Sequence, residues 1–255
     1  MRPFVVAANW KMNKSPREAS DFLKGFLPKV GNKPRGREII LFVPAIDLMV
    51  VHDHLKNTGI GFGAQNCHYE ASGAFTGENS PKVLAEIGVG YALVGHSERR
   101  TLFHETDDDT AKKVLALQQL NLTPMLCVGE SLGEREASLT SEVIVRQLRA
   151  GFSRLDMSKE ASKKILIAYE PVWAIGTGVV ATPEQAQEAH LTLREALKEI
   201  GGEEFAKATP ILYGGSVKAD IAADLAIKPD IDGFLVGGAS LEVSSFLPLC
   251  MVAKG

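Results

Sequence analysis

The chain has 255 residues, of which 45% are hydrophobic and 23% charged; these are the proportions of a folded globular protein, and a chain this long buries roughly 70 to 75% of its unfolded surface. Disordered chains and disulfide-stapled miniature folds are thereby excluded. A formal net charge of −3 supplies no global basic field, so neither nucleic acid nor an anionic membrane surface is an expected partner.

In chain order, the first apolar run is Phe4 to Ala8, and the polar residues Asn9, Lys11 and Asn13 interrupt it before a secretory signal is completed. Seven short apolar runs follow: Ile39 to Val43, Ile60 to Ala64, Tyr91 to Val94, Pro124 to Val128, Ile165 to Tyr169, Ile211 to Tyr213 and Gly233 to Val236. They are rich in Val, Ile, Leu and Ala without in/out alternation, the pattern of strands covered on both faces. Helix starts are marked between them. Ser15-Pro16-Arg17-Glu18 and Thr182-Pro183-Glu184-Gln185 each combine an N-cap hydroxyl, a proline at the first helical position and a capping-box partner. Ser80-Pro81 and Thr106-Asp107-Asp108-Asp109 mark two more. After Thr182, the residues Ala186, Ala189, Leu193, Ala196, Leu197 and Ile200 form one apolar stripe at three- and four-residue steps, which places that helix on the outside of a larger body.

No linker, charge block or low-complexity tract interrupts this alternation, so a single domain over residues 1 to 255 is expected. The longest apolar stretches, Ile39 to Ile46 and Phe246 to Ala253, fall well short of a membrane span. Cys67, Cys127 and Cys250 are odd in number and contain no CxxC pair, which argues against a disulfide framework and a thiolate zinc site. A reducing, cytoplasmic location fits. Eight strands with helices between them form either an open doubly wound sheet or a closed (β/α)₈ barrel, both of the α/β class. An open dinucleotide fold would place G-x-G-x-x-G after the first strand, whereas here Asn9-Trp10-Lys11-Met12-Asn13 follows, so the barrel is expected.

In such a barrel the loops after the strands open at one pole, and polar residues there converge although they are distant in sequence. They are Asn9 and Lys11 after the first strand, His96 and Glu98 after the fourth, Glu170 after the sixth, Ser216 after the seventh, and Gly237 and Gly238 after the eighth. Each has an ordinary structural reading: a surface lysine, a core histidine, a carboxylate capping a turn. Together, a cation, a neutral-capable acid/base and a carboxylate base are the set needed to abstract a proton beside a carbonyl. Gly214-Gly215-Ser216 and Gly237-Gly238 follow the last two strands, the usual barrel position for a phosphate, where unencumbered N–H groups face the anion. The segment Pro171 to Gly178 runs rigid, apolar and then glycine-rich, which is how a closing lid is built.

The motifs Asn9-Trp10-Lys11-Met12-Asn13, Gly95-His96-Ser97-Glu98-Arg99-Arg100, Ala168-Tyr169-Glu170-Pro171-Val172-Trp173-Ala174-Ile175-Gly176-Thr177-Gly178, Tyr213-Gly214-Gly215-Ser216-Val217 and Gly233 to Leu241 resemble the triosephosphate isomerase family, in order and across the whole chain. The resemblance implies interconversion of dihydroxyacetone phosphate and glyceraldehyde 3-phosphate through an enediolate, with no cofactor and no metal. It makes Glu170 the base, neutral His96 a hydrogen-bond donor to the carbonyl oxygen, and Lys11 the holder of phosphate and oxyanion. Asn9 would assist, and Glu98 would take part in proton traffic or orient Lys11. Gly176, Ser216, Gly237 and Gly238 would bind the phosphate. The long loop from Gln65 to Asn79 would make a homodimer contact, with Gly73 to Glu78 inserted beside the partner's pocket.

Val179-Val180 stand where many relatives carry Lys and a small polar residue, and Val43-Pro44-Ala45 lacks a common second proline. Cys127, between apolar neighbours, reads as a packing residue. Two other readings differ in class. A Schiff-base aldolase needs a desolvated lysine late on a strand, where this chain has Glu170. A silent phosphate-binding scaffold would have lost Lys11, His96 or Glu170.

Overall fold

Eight parallel strands close on themselves in the computed structural model, which describes residues 2–31, 34–175 and 180–254, with the backbone alone at 161 and 162. They are β1 (Phe4–Asn9), β2 (Arg37–Val43), β3 (Gly61–Ala64), β4 (Tyr91–Val94), β5 (Thr123–Val128), β6 (Leu166–Tyr169), β7 (Ile211–Tyr213) and β8 (Gly233–Val236). Each pairs with its sequence neighbours, and β8 returns to β1 with Val5 opposite Gly233 and Ala8 opposite Val236. This is the (β/α)₈ barrel expected from the sequence. All eight apolar runs are strands, with ends moved by one or two residues: β1 takes in Asn9, β2 starts at Arg37, and β3 and β6 each start one residue late.

The helices among the described residues are α1 (Pro16–Val30), α2 (Leu48–Leu55), α3 (Pro81–Glu86), α4 (Ser97–Leu102), α5 (Asp107–Gln119), α6 (Leu132–Glu136), α7 (Thr140–Phe152), α8 (Pro183–Gly201), α9 (Glu203–Ala208), α10 (Ala219–Ala226) and α11 (Val243–Met251). The expected capping boxes form at Ser15 with Glu18 and at Thr182 with Gln185, and the Ser80 and Thr106 hydroxyls cap α3 and α5. A further box, Ser131 with Glu134, starts α6.

Because successive strand residues point to opposite faces, the strands build two cores at once. Val5 and Ala7, Ile40 and Phe42, Met125 and Cys127, Leu166 and Ala168, Leu212 and Leu235 fill the barrel interior. Val6 and Ala8, Ile39 and Leu41, Ile167 and Tyr169 face outward and pack under the helices. The stripe on α8 is buried at Ala186, Ala189, Leu193, Ala196 and Leu197, as its spacing demands.

At the pole where the strands begin, Asp232 is fully buried just before β8. One carboxylate oxygen accepts from Arg2 Nε at 2.7 Å and Lys254 Nζ at 3.0 Å; the other accepts from Arg194 Nη2 at 2.5 Å and the Ile211 N–H at 3.1 Å. Burial alone would raise its pKa; these donors reverse the direction and hold it low. The cluster ties both chain ends to α8 and β7. Removing one member of a buried charge cluster leaves the others uncompensated, so Asp232→Asn is expected to lower the unfolding free energy by about 3 to 5 kcal/mol, read from the urea midpoint. A loss below about 1 kcal/mol, the range of an exposed pair, would contradict this.

Candidate active site

The inward series of each strand continues past its C-terminal end, and its next step is the floor of the site. Val5 and Ala7 lead to Asn9, Leu166 and Ala168 to Glu170, Leu212 to Gly214, and Leu235 to Gly237. The top inward layer thus holds two polar side chains and glycines in place of Leu and Val. A cavity of about 290 Å³ results, lined by Asn9, Lys11, His96, Glu170, Gly214, Gly215, Ser216, Gly237 and Gly238. The structure therefore gathers seven of the expected site residues around one space. Glu98 stands one step behind, in a neighbouring cavity on the far side of Lys11. Gly176 and Val179 lie outside the described residues.

Lys11 adopts φ +53, a left-handed conformation that costs a non-glycine residue of order 1 kcal/mol or more. Two side chains hold it there: Asn9 Oδ1 accepts the Lys11 N–H at 3.0 Å, and Gln65 Nε2 donates to the Lys11 carbonyl at 2.8 Å. Its ammonium reaches Glu98 Oε1 at 2.5 Å. This is the contact that an orienting role for Glu98 would use.

Glu170 is 2% exposed. Its Oε2 accepts the Ser97 N–H at 2.9 Å, and its Oε1 stands 3.0 Å from His96 Nε2. Burial pushes the Glu170 pKa up, but His96, the Ser97 N–H and Lys11 together outweigh burial and hold it below its ordinary value. The carboxyl group is therefore ionised at neutral pH. His96 is its mirror image: burial lowers its pKa, and Glu170 and Glu98 together raise it by more. The proton sits on Nε2, because Nδ1 accepts the Glu98 N–H at the start of α4, at 3.2 Å.

The seat of Glu170 is built from β5. The Glu170 N–H donates to the Val128 carbonyl at 2.8 Å, and Gly129 passes so close that a Cβ there would lie 1.7 Å from the Glu170 carbonyl oxygen. Only glycine fits. Gln147, buried on α7, clasps this peptide from behind: its Oε1 accepts the Gly129 N–H at 2.7 Å, and its Nε2 donates to the Gly129 carbonyl at 3.2 Å. Past Glu170, Trp173 Nε1 donates to the buried Glu130 Oε1 at 2.8 Å, which also accepts from Tyr169 and Arg135. Cys127 is fully buried in the barrel and its thiol is pushed well above the ordinary range, first by burial and then by Glu170. It is a packing residue.

The loop from Gln65 to Asn79 is ordered by its own contacts. The His68 N–H donates to the Asn79 carbonyl at 2.9 Å, Asn66 Nδ2 to Glu78 at 3.1 Å, and the His68 and Phe75 rings stack with centroids 3.9 Å apart. Its first residue, Gln65, supports Lys11 of the same chain.

The family model described as triosephosphate isomerase matches residues 4–253. The chain belongs to the triosephosphate isomerase family. A protein of that name from Bdellovibrio bacteriovorus is 50% identical over 248 residues, covering 97% of this chain and 99% of its own. Those of Lactobacillus delbrueckii subsp. bulgaricus and Lacticaseibacillus casei are each 46% identical, over 245 and 249 residues, covering 96% and 98% of this chain and the same shares of their own.

Sequence reading passed over Ser97, although it lies inside a quoted motif, and Gln147, one polar residue in a mixed helix. Loosening the seat of the base misaims the carboxylate, and sub-ångström errors of aim are costly. Gln147→Leu is expected to lower kcat of the family reaction by about 10- to 100-fold with KM within about twofold, checked by steady-state kinetics on protein with a native circular-dichroism spectrum. An unchanged kcat would remove Gln147 from the support of Glu170.

Proposed function

We propose that this chain is a triose-phosphate isomerase, interconverting dihydroxyacetone phosphate and D-glyceraldehyde 3-phosphate by proton transfer between adjacent carbons through an enediolate, in glycolysis and gluconeogenesis. The observation that carries it is the buried, ionised Glu170 beside His96 Nε2 and Lys11 in a glycine-floored cavity. Volume and polarity both suit a three-carbon phosphate.

In this reading Glu170 leaves the Ser97 N–H, takes the proton from one carbon and returns it to the next. The developing oxyanion meets the His96 N–H and the Lys11 ammonium, donors fixed before the charge appears, with Asn9 beside them. Glu98 holds Lys11 in place. N–H groups around Ser216, Gly237 and Gly238, joined by Gly176, grip the phosphate. The segment from Pro171 to Gly178 closes over the ligand and excludes water, which strengthens every charge interaction within. The reaction calls for no cofactor and no metal.

The working unit is a symmetric cytoplasmic homodimer joined through the loop Gln65 to Asn79. Met12 is 98% exposed, and Ile46, Phe75, Leu102 and Phe103 are exposed as well. Met12, Gly77 and Phe103 line the cavity on the outer side of Lys11, an apolar rim that a second copy covers. Sedimentation at assay concentration is expected to show a dimer; an active monomer would refute this.

A coupled assay with glyceraldehyde 3-phosphate is expected to show turnover, with solvent deuterium appearing at the substrate carbon. Glu170→Gln should retain substrate binding and lose about 10² to 10⁴-fold in kcat, the usual worth of a general base. Near-normal turnover in that variant would remove Glu170 from the role.

A further inference from the structure

At the pole opposite Glu170, a second cavity of about 670 Å³ opens between the starts of β1 and β2 and the residues after α11. It is more than twice the volume of the catalytic cavity. Five cations line it: Arg2, Arg35, Arg37, Lys207 and Lys254. Three carboxylates stand close enough to answer them. Asp232 takes both Arg2 and Lys254, and Glu203 and Glu204 lie 3.4 and 3.5 Å from Lys207. Among the described residues these cations outnumber the carboxylates that answer them, and Asp232 and Glu203 are further shared with Arg194 and Lys198, so positive charge is in excess. Arg35 is exposed and has no ion pair among the described residues.

Arg37 decides what the cavity is for. It is 7% exposed, and its guanidinium lies over the Phe4 ring at 4.2 Å. One nitrogen, Nη2, donates to the Val252 carbonyl, while Nε and Nη1 have no partner among the described residues. Burial pulls its pKa down, the buried Cys250 beside it pulls the other way, and no carboxylate is among the groups acting on it. A guanidinium nevertheless stays charged, and a buried charge without a counter-charge is costly. An anion removes that cost, and a guanidinium fork matches the paired oxygens of a phosphoryl group.

We propose that this cavity is a second anion site, separate from catalysis, for a small phosphorylated molecule carrying two or more negative charges, held by Arg37 and Arg35. A dianion answers this positive excess more fully than a single carboxylate does. Val252 to Lys254 follow α11 without helix or strand bonding, held by Arg37 on the Val252 carbonyl and by Lys254 on Asp232, and Arg37 stands in the cavity wall beside them. Phe4, Pro229 and Ala253 add apolar wall, which suits an organic group on the phosphate.

Calorimetric titration of the full chain with inorganic pyrophosphate at low ionic strength tests the site. Two sites per chain are expected. Lys11→Met should weaken only the catalytic one, while Arg35→Gln weakens the other by at least tenfold and leaves kcat and KM unchanged. Arg37→Gln should abolish that second site; if this buried substitution prevents folding, the exposed Arg35 decides alone. A single site per chain that is lost with Lys11→Met, or wild-type pyrophosphate binding in Arg35→Gln, would overturn the proposal. Repeating the titration with ADP separates the sources of the phosphate: tighter binding than pyrophosphate supports an organic ligand, equal or weaker binding the free ion.

Discussion

A carboxylate with almost no solvent is a base only if something other than water keeps it ionised. Glu170 has that support from three directions: the Ser97 N–H at the start of α4, the His96 Nε2 hydrogen beside it, and the Lys11 ammonium after β1. Burial pushes against ionisation, and these three outweigh it. They come from the ends of β1 and β4, facing a group on β6, so no local stretch of chain assembles them. Closure of the sheet does. The barrel is in this sense part of the acid–base chemistry and more than its support.

The same closure makes room for a ligand. On β1, β6, β7 and β8 the inward positions carry Val, Leu or Ala until the last step, where Asn9, Glu170, Gly214 and Gly237 replace them. Packing that fills the interior stops one layer short of the pole. Glycine at these steps leaves space beside Glu170, and at Gly129 it also lets the β5 and β6 chains approach more closely than any side chain permits. One choice of residue type therefore produces both the cavity and the seat of Glu170.

Much of this was legible in the sequence, and the reasons for the remainder are physical. Runs of Val, Ile and Leu read as strands because both faces are buried, and capping residues read as helix starts because their hydrogen bonds are local. Lys11, His96 and Glu170 could be grouped because barrel topology sends all strand ends to one pole. Ser97 acts through its backbone N–H, which every residue possesses, so its identity carries no signal. Gln147 acts from a helix through a glycine peptide, a contact set by tertiary packing. The left-handed backbone of Lys11 depends on Gln65, far along the chain. A net charge of −3 conceals a pole with a local positive excess, because composition averages over the surface. Asp232 likewise looks like any aspartate until Arg2, Arg194 and Lys254 close around it.

The account stands on the ionisation of one buried carboxyl group in the free protein. A ¹³C NMR titration of the Glu170 side-chain carboxyl, assigned by the loss of its resonance in Glu170→Gln, measures that directly. The account predicts a carboxylate shift throughout the neutral range and a midpoint below the ordinary glutamate value of 4.5. A midpoint at or above pH 6, the behaviour of a carboxyl governed by burial alone, would contradict it.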